Sequence, residues 1–266
     1  MNRSGMLVMR TRPGVAGAMP PVSLTDVFSL TEATSNLNGD CASAWRRATP
    51  ATNAASTAVR KAPSISRLLR GLRRGRYSPA VPHIAVPEGV PGIRSLFAFR
   101  PEVAEPLSVL ADTLLHAESS LSRGERELIA AYVSSLNDCD FCHYSHAAVA
   151  SCHLGDDGST VSAVVRDAYS APVSQKMKAL LAIAARVQRS GRDVQESDIA
   201  RARTEGATDI EIHDTVLIAA AFCMFNRYVD GLGALTPTDA AGYRDRARHV
   251  AEHGYAAIVP QLPIRS

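Results

Sequence analysis

The sequence predicts an all-α protein of six to eight helices, and two observations support this class. From about residue 101 onward, apolar residues recur every three or four positions through most of the chain, which is the spacing of helices buried along one face. No stretch alternates apolar and polar residues for long enough to indicate a strand. With 266 residues the chain is long enough to bury a sizeable core.

Residues 1–83 differ in composition from the rest of the chain. They are rich in Ala, Ser, Pro and Arg and lack sustained periodicity, so we expect a disordered basic extension followed by one helical domain over residues 84–266. The first 85 residues carry 12 Lys and Arg against 3 acidic residues, whereas the remainder carries 17 against 23. The basic isoelectric point therefore reflects the extension and does not indicate a nucleic-acid-binding domain. A dispensable extension and an organellar transit peptide both fit this composition.

The predicted helices follow in order after a proline- and glycine-rich segment from residue 84 to residue 93, which we expect to be extended. Ser122-Arg-Gly-Glu125 has the pattern of a capping box and starts the second helix. Gly155 is a natural end for the third. From Tyr255 onward the chain is expected to be a tail. The predicted helices cover, approximately, residues 101–118, 123–136, 139–154, 161–168, 174–190, 196–205, 208–230 and 238–252.

Hydropathy and cysteine usage limit the possible locations. The longest apolar run, residues 216–225, is about half of the ~20 residues that a membrane span needs, so it is predicted to be a core helix. The five cysteines are too few and too irregularly spaced for a secreted disulfide framework. A reducing compartment, the cytoplasm, is therefore expected, with neither a membrane nor a nucleic acid as partner.

The stretch Cys139-Asp-Phe-Cys142-His-Tyr-Ser-His146 has the composition of a redox site. Two thiols separated by two residues can form a disulfide, and the imidazole of His146 follows Cys142 by one helical turn. Asn137 and Asp138 favour a break before a new helix, which places Cys139 in its first turn.

The residues alone do not decide which sulfur attacks. The partial positive charge of a helix N-terminus favours a thiolate at Cys139, whereas the imidazole of His146 favours one at Cys142. We choose Cys142 because an imidazole can also accept the proton.

A structural zinc site is the main alternative, since Cys152 and His153 could complete a ligand set with the two thiols. We consider it less favoured, because these residues lie along helices whose core needs no metal to fold. His116, at the end of the first predicted helix, is expected to satisfy the helix terminus and not to bind a ligand.

Glu127, Cys139, Cys142 and His146 have the spacing Glu-x11-Cys-x2-Cys-x3-His. This pattern resembles the alkylhydroperoxidase D branch of the carboxymuconolactone decarboxylase superfamily. The segments "LSRGERELIAAYVSSLNDCDFCHYSHAAVA" and "FNRYVDGLG" are most similar to the peroxidase-related enzymes of that branch. The resemblance covers roughly residues 84–233.

The resemblance implies an all-helical, alkylhydroperoxidase D-like bundle that reduces hydroperoxides. Cys142 would attack the peroxide, His146 would be its base and Cys139 the resolving thiol, while Glu127 would orient groups or relay protons. The cycle would need an external dithiol as electron donor and no metal, haem or flavin. Members of this kind are commonly trimers or multiples of trimers, so a homo-oligomer is expected.

One position departs from the family pattern. The best-studied peroxidase of the family has a histidine immediately before the later cysteine, and this chain has Phe141 there. A proton relay through that position cannot operate here. Two alternatives therefore accompany the peroxidase prediction: a dithiol/disulfide oxidoreductase with little peroxidase activity, and a redox-responsive, non-enzymatic protein whose basic extension contacts an acidic partner.

Overall fold

Nine α-helices form the regular structure of residues 81–262, the part of the chain that our computed structural model describes, and this part contains no strand. The all-α prediction is confirmed. The expectation of a disordered extension over residues 1–83 falls almost entirely on residues 1–80, outside the described part. The helices are α1 (Ile93–Phe99), α2 (Ala104–Leu115), α3 (Arg123–Leu136), α4 (Asp140–Leu154), α5 (Ser159–Arg166), α6 (Gln175–Arg189), α7 (Glu196–Thr204), α8 (Asp209–Gly231) and α9 (Ala240–His253).

Helix α1 takes the count one above the predicted range of six to eight. Its seven residues are too few to show a helical period in the sequence, yet it buries Leu96, Phe97 and Ala98. Tertiary packing stabilises this short helix, since isolated helices of such length are unstable in water. Among the described residues, no helix is both long and apolar enough to cross a membrane.

Local capping signals place the ends of α3 and α4. The Ser122 hydroxyl accepts a hydrogen bond from the backbone N–H of Glu125, and the Glu125 carboxylate accepts one from the backbone N–H of Ser122. Gly155 ends α4 in the left-handed conformation at φ 69°, which costs glycine no Cβ clash. Cys139 is the N-cap of α4 and not, as predicted, a residue of its first turn. Asp138, at φ 58°, makes the sharp turn between the two helices.

Helix α3 lies at the centre of the core, where it packs against α4, α8 and α6. Its apolar side chains Leu128 and Ile129 join Leu180 of α6 and Phe222 of α8 in one hydrophobic cluster. Helix α9 packs on α4, and α1 contacts α8. The helix pair α3–α4, which carries the predicted site residues, is therefore held from several sides.

A buried amide network fixes α8 against the turn between α3 and α4. Asn226 is fully buried, and its side chain donates to Ser134 Oγ (3.0 Å) and accepts from Asn137 Nδ2 (2.7 Å). Gln188 of α6 donates to Asn137 Oδ1 at 2.9 Å. Because each buried polar atom here has its partner, the network sets the position of α8 as well as its contact area.

The segment after α9 is folded onto the domain, so the prediction of a tail from Tyr255 is wrong for residues 255–262. The Asp112 carboxylate of α2 accepts hydrogen bonds from the backbone N–H groups of Tyr255 (2.6 Å) and Ala256 (2.8 Å). A 3₁₀ turn, Ala256–Gln261, follows. A short segment that is stabilised by a carboxylate more than 140 residues away in the sequence has no local signal that could have predicted it.

Replacing Asn226 by alanine tests the amide network. We expect a loss of about 2 kcal/mol in the free energy of unfolding, because the buried Ser134 hydroxyl and the half-buried Asn137 amide each lose a hydrogen-bond partner. Urea denaturation followed by circular dichroism measures this. Gln175→Ala, at an exposed residue of α6, is the control and should change stability by less than about 0.5 kcal/mol. Equal losses in both variants would contradict the assignment.

Candidate functional site

The two cysteines of the motif lie side by side at the start of α4. Both are free thiols and both are buried. The hydrogen bond with Cys142 is the main cause that raises the pKa of Cys139 well above its usual value, and burial adds to it. Cys139 is therefore held as a thiol at neutral pH, although it lies at a helix N-terminus.

Asp230, near the end of α8, is a neighbour of Cys139 that was not among the predicted site residues. Its carboxyl group accepts a hydrogen bond from the Cys139 thiol. Burial raises the pKa of Asp230 to about 6, and the bond with Cys139 opposes this shift. The segment "FNRYVDGLG", which carries Asp230, gave a signal through its resemblance to the family, but nothing in it indicated contact with a thiol.

His146 and Glu127 are brought together from α4 and α3. His146 Nδ1 lies 2.7 Å from Glu127 Oε2. Because the carboxylate can only accept, Nδ1 carries the hydrogen of this bond and the other ring nitrogen, Nε2, is left as an acceptor. The His146 ring also packs edge-on against Phe222, with ring centroids 4.5 Å apart. The Tyr255 hydroxyl lies 3.0 Å from the same Nδ1, so the ring is held by polar contacts at Nδ1 and by the aromatic contact with Phe222.

Glu127 is fully buried and has two further partners. His116 Nε2 lies 3.1 Å from its Oε1, and the Tyr255 hydroxyl donates to the same oxygen at 2.7 Å. Burial alone would raise the pKa of Glu127, but the charge of His146 and the hydrogen bonds from His116 and His146 outweigh it and hold this pKa at about 2. Glu127 is therefore a carboxylate at neutral pH, suited to orient His146.

Sequence reasoning missed both additional partners of Glu127. His116 is the C-cap residue of α2, as expected, but its ring also reaches Glu127, a contact that the sequence did not indicate. Tyr255 lies in the segment predicted as a tail. Burial, and then the charge of Glu127, raises the pKa of Tyr255 well above its usual value, which keeps the hydroxyl protonated as a donor. No local pattern links residues so distant in sequence.

A cavity of about 80 Å³ lies beside this cluster. Cys142, His146 and Tyr255 line it, whereas Cys139 does not. Most other lining residues are apolar, and Phe141, at the position of the family's second histidine, is one of them. The exceptions are Ser108, Ser145, Arg94 and Arg246. The arrangement can admit a small organic molecule to the Cys142 sulfur.

Two comparisons with known proteins find similar proteins, and a third, with curated proteins, finds no match. Residues 101–186 match the carboxymuconolactone decarboxylase family. The chain is similar to a solved structure from Ralstonia eutropha JMP134, described as an alkylhydroperoxidase AhpD core and an uncharacterized peroxidase-related protein. The sequence identity is 23% and the TM-score is 0.53, and the match covers 69% of this chain and 88% of that chain. It is also similar to an uncharacterized peroxidase-related protein from Silicibacter sp. TM1040, with 25% sequence identity and a TM-score of 0.53; this match covers 64% of this chain and 96% of that chain.

The family match spans residues Glu127, Cys139, Cys142 and His146, and the solved structures share the helical fold. The resemblance seen in the sequence is thereby confirmed at this level: residues 101–186 match the carboxymuconolactone decarboxylase family, and the helical fold is that of the AhpD-like, peroxidase-related solved structures.

Proposed function

We propose that this protein is a thiol-dependent peroxidase that reduces organic hydroperoxides through a dithiol/disulfide cycle of Cys142 and Cys139. The observation that carries the proposal is the position of Cys142 on the cavity wall, one helical turn before a histidine whose Nδ1 is bound to a buried carboxylate. The peroxidase-related solved structures support an enzyme of this general kind.

In the first step His146 Nε2 accepts the proton of the Cys142 thiol, and the thiolate attacks the terminal oxygen of the hydroperoxide. An S–O bond forms and the O–O bond breaks. Cys142 is oxidised to a sulfenic acid, and the alkoxide that leaves takes the proton from the imidazolium to become an alcohol. The ionised Glu127 stabilises the imidazolium between these two transfers, in the manner of the carboxylate in a hydrolase triad.

In the second step the Cys139 sulfur attacks the sulfenic sulfur of Cys142. An S–S bond forms and the S–O bond breaks, and the departing hydroxide takes up one proton, which balances the proton that Cys139 gives up, and leaves as water. Asp230 accepts the proton of Cys139, a role that fits the hydrogen bond between them and a pKa of about 6, which leaves the carboxylate mostly ionised at neutral pH. An external dithiol then reduces the disulfide by exchange and is itself oxidised to a disulfide.

Dithiol exchange with little peroxidase activity is the second candidate, and Phe141 is the observation that favours it. This side chain lines the cavity directly before Cys142 and can neither accept nor donate a proton. The same pair of thiols would then serve disulfide exchange alone. The two candidates differ in the rate of the first step.

We expect Cys142→Ser to abolish the reaction with cumene hydroperoxide, followed by stopped flow under single-turnover conditions. Cys139→Ser should keep the first step and accumulate a sulfenic acid at Cys142, detectable with dimedone and mass spectrometry, because only resolution is lost. Cys223→Ser, which removes a cysteine outside the motif, is the control and should behave as wild type. Loss of peroxide consumption in Cys139→Ser alone would reverse the assignment. A wild-type rate no higher than that of a free thiol would leave only exchange.

We expect the rate of disulfide formation to fall as pH falls through about 6, the pKa of Asp230. Above that pH the carboxylate accepts the Cys139 proton, and below it the protonated acid cannot. Asp230→Asn should remove this inflection and slow disulfide formation by about 100-fold, the lower end of general-base contributions. The phase of sulfenic acid formation, which does not use Asp230, serves as an internal control. An inflection that persists in Asp230→Asn would show that another group causes it.

We also propose a homo-oligomer, a trimer or a multiple of trimers. The apolar side chains of Ile210, Leu217 and Met224 are exposed at seven-residue intervals along one face of α8, which places them in a single stripe. Light scattering after size exclusion should give a mass above one chain for wild type and a lower mass for Leu217→Glu combined with Met224→Glu. Tyr169→Glu, at an exposed residue elsewhere, is the control. A monomeric wild type would contradict this proposal.

A further inference from the structure

Two arginines from different helices line the cavity that reaches Cys142. Arg94 belongs to α1 and Arg246 to α9. Both are half-buried, and they are near enough to repel each other, since Arg94 lowers the pKa of Arg246, after burial, to about 10. Within residues 81–262 neither guanidinium forms an ion pair, and the Nε atom of Arg94 is buried without a hydrogen-bond partner.

The two carboxylates that are bound to Tyr255, a residue of the cavity wall, already have other partners. Asp112 accepts from two backbone N–H groups, and Glu127 is bound to His116, His146 and Tyr255. Two partly desolvated cations side by side, without a counter-charge from the described residues, are unfavourable for the empty protein. Such a pair is favourable when an anion binds between them, and arginine binds carboxylates through two parallel hydrogen bonds.

The rest of the cavity is suited to an apolar body. Phe97, Leu107, Ala111, Phe222 and Phe225 line it. An inorganic anion would leave this apolar surface uncovered, whereas a neutral alkyl hydroperoxide would leave both arginines without a partner. A ligand with both an apolar body and a carboxylate satisfies the two halves of the cavity at once.

We propose that the substrate is an organic hydroperoxide that carries a carboxylate, and that Arg94 and Arg246 bind this carboxylate while the peroxide lies at Cys142. The reaction chemistry rests on the proposed function, but the binding of a carboxylate at the arginine pair does not. The pair acts as a specificity element: it selects acidic over neutral hydroperoxides and takes no part in breaking the O–O bond.

The kinetic test compares cumene hydroperoxide with its para-carboxy derivative, since the two have the same reacting group. In wild type we expect kcat/KM for the acid to exceed that for the neutral compound by about tenfold or more, the gain of one charge-assisted interaction. In Arg94→Gln and Arg246→Gln this ratio should fall to about 1, and in Arg246→Lys, which keeps the charge, it should stay between these values. Arg192→Gln, at an exposed residue far from the cavity in sequence, should keep the wild-type ratio.

The binding test uses isothermal titration calorimetry with 4-(2-hydroxypropan-2-yl)benzoate, the product expected from the acid, and its methyl ester. Wild type should bind the acid at least about tenfold more tightly than the ester, and both glutamine variants should lose this preference. Circular dichroism shows whether each variant is folded. If a glutamine variant does not fold, the preference for acid over ester is measured on Arg246→Lys instead.

The two tests separate the failure of this inference from the failure of the proposed function. Turnover of both hydroperoxides at equal rates, with equal binding of acid and ester, would overturn the substrate assignment and leave the peroxidase proposal standing. Absence of turnover for both, with arginine-dependent binding of the acid, would refute the peroxidase proposal and keep the carboxylate site. The glutamine variants could instead change oligomeric state while the kcat/KM ratio and the binding preference for the acid stay as in wild type. That result would assign the two arginines to assembly and overturn the inference.

Discussion

The buried carboxylate of Glu127 is the interaction on which the rest of the site depends. A fully buried charge is costly unless several donors replace its water. Glu127 obtains three donors from three separate parts of the chain: His146 of α4, His116 after α2, and Tyr255 after α9. The fold must bring all three segments onto α3 to keep this charge. The network that orients His146 therefore also joins α2, α4 and the segment after α9 to α3.

The carboxylate of Asp112 positions two of the groups that donate hydrogen bonds to Glu127. Asp112 holds the backbone of Tyr255 and Ala256, and the same side chain lies 3.5 Å from His116 Nδ1. Two of the three donors to Glu127 are thus positioned by one residue of α2. The approach is close: a Cβ on Gly254, which has φ 81°, would lie only 2.7 Å from Asp112 Oδ1. Glycine at this position lets the chain pass over the carboxylate and place the Tyr255 hydroxyl at the site.

The sequence predicted those parts of the structure that are determined by residues close to one another in the chain. The capping box of Ser122 and Glu125 indicated the start of α3, and Gly155 indicated the end of α4, because both signals act through backbone groups within one turn. The burial of Glu127 was not evident, since its position on the α3 helical wheel lies away from the main apolar stripe. His116, Tyr255 and Asp230 could not be predicted for the same reason: their roles come from contacts between segments that only the tertiary fold creates.

The different environments of the two cysteines argue for Cys142 as the attacking sulfur. A helix N-terminus favours a nearby negative charge by about 1 kcal/mol or less, which is under one pKa unit. At Cys139 this effect is opposed by the hydrogen bond with the second thiol, by burial and by the carboxyl group of Asp230, and the pKa of Cys139 is raised. Cys142 borders the cavity, and His146 lies one turn beyond it on the same helix. A sulfur that must meet a substrate needs access to the cavity and a base, whereas a resolving sulfur needs only to stay reduced and close until the first has reacted. The hydrogen bonds of Cys139 to Cys142 and Asp230 supply that second environment.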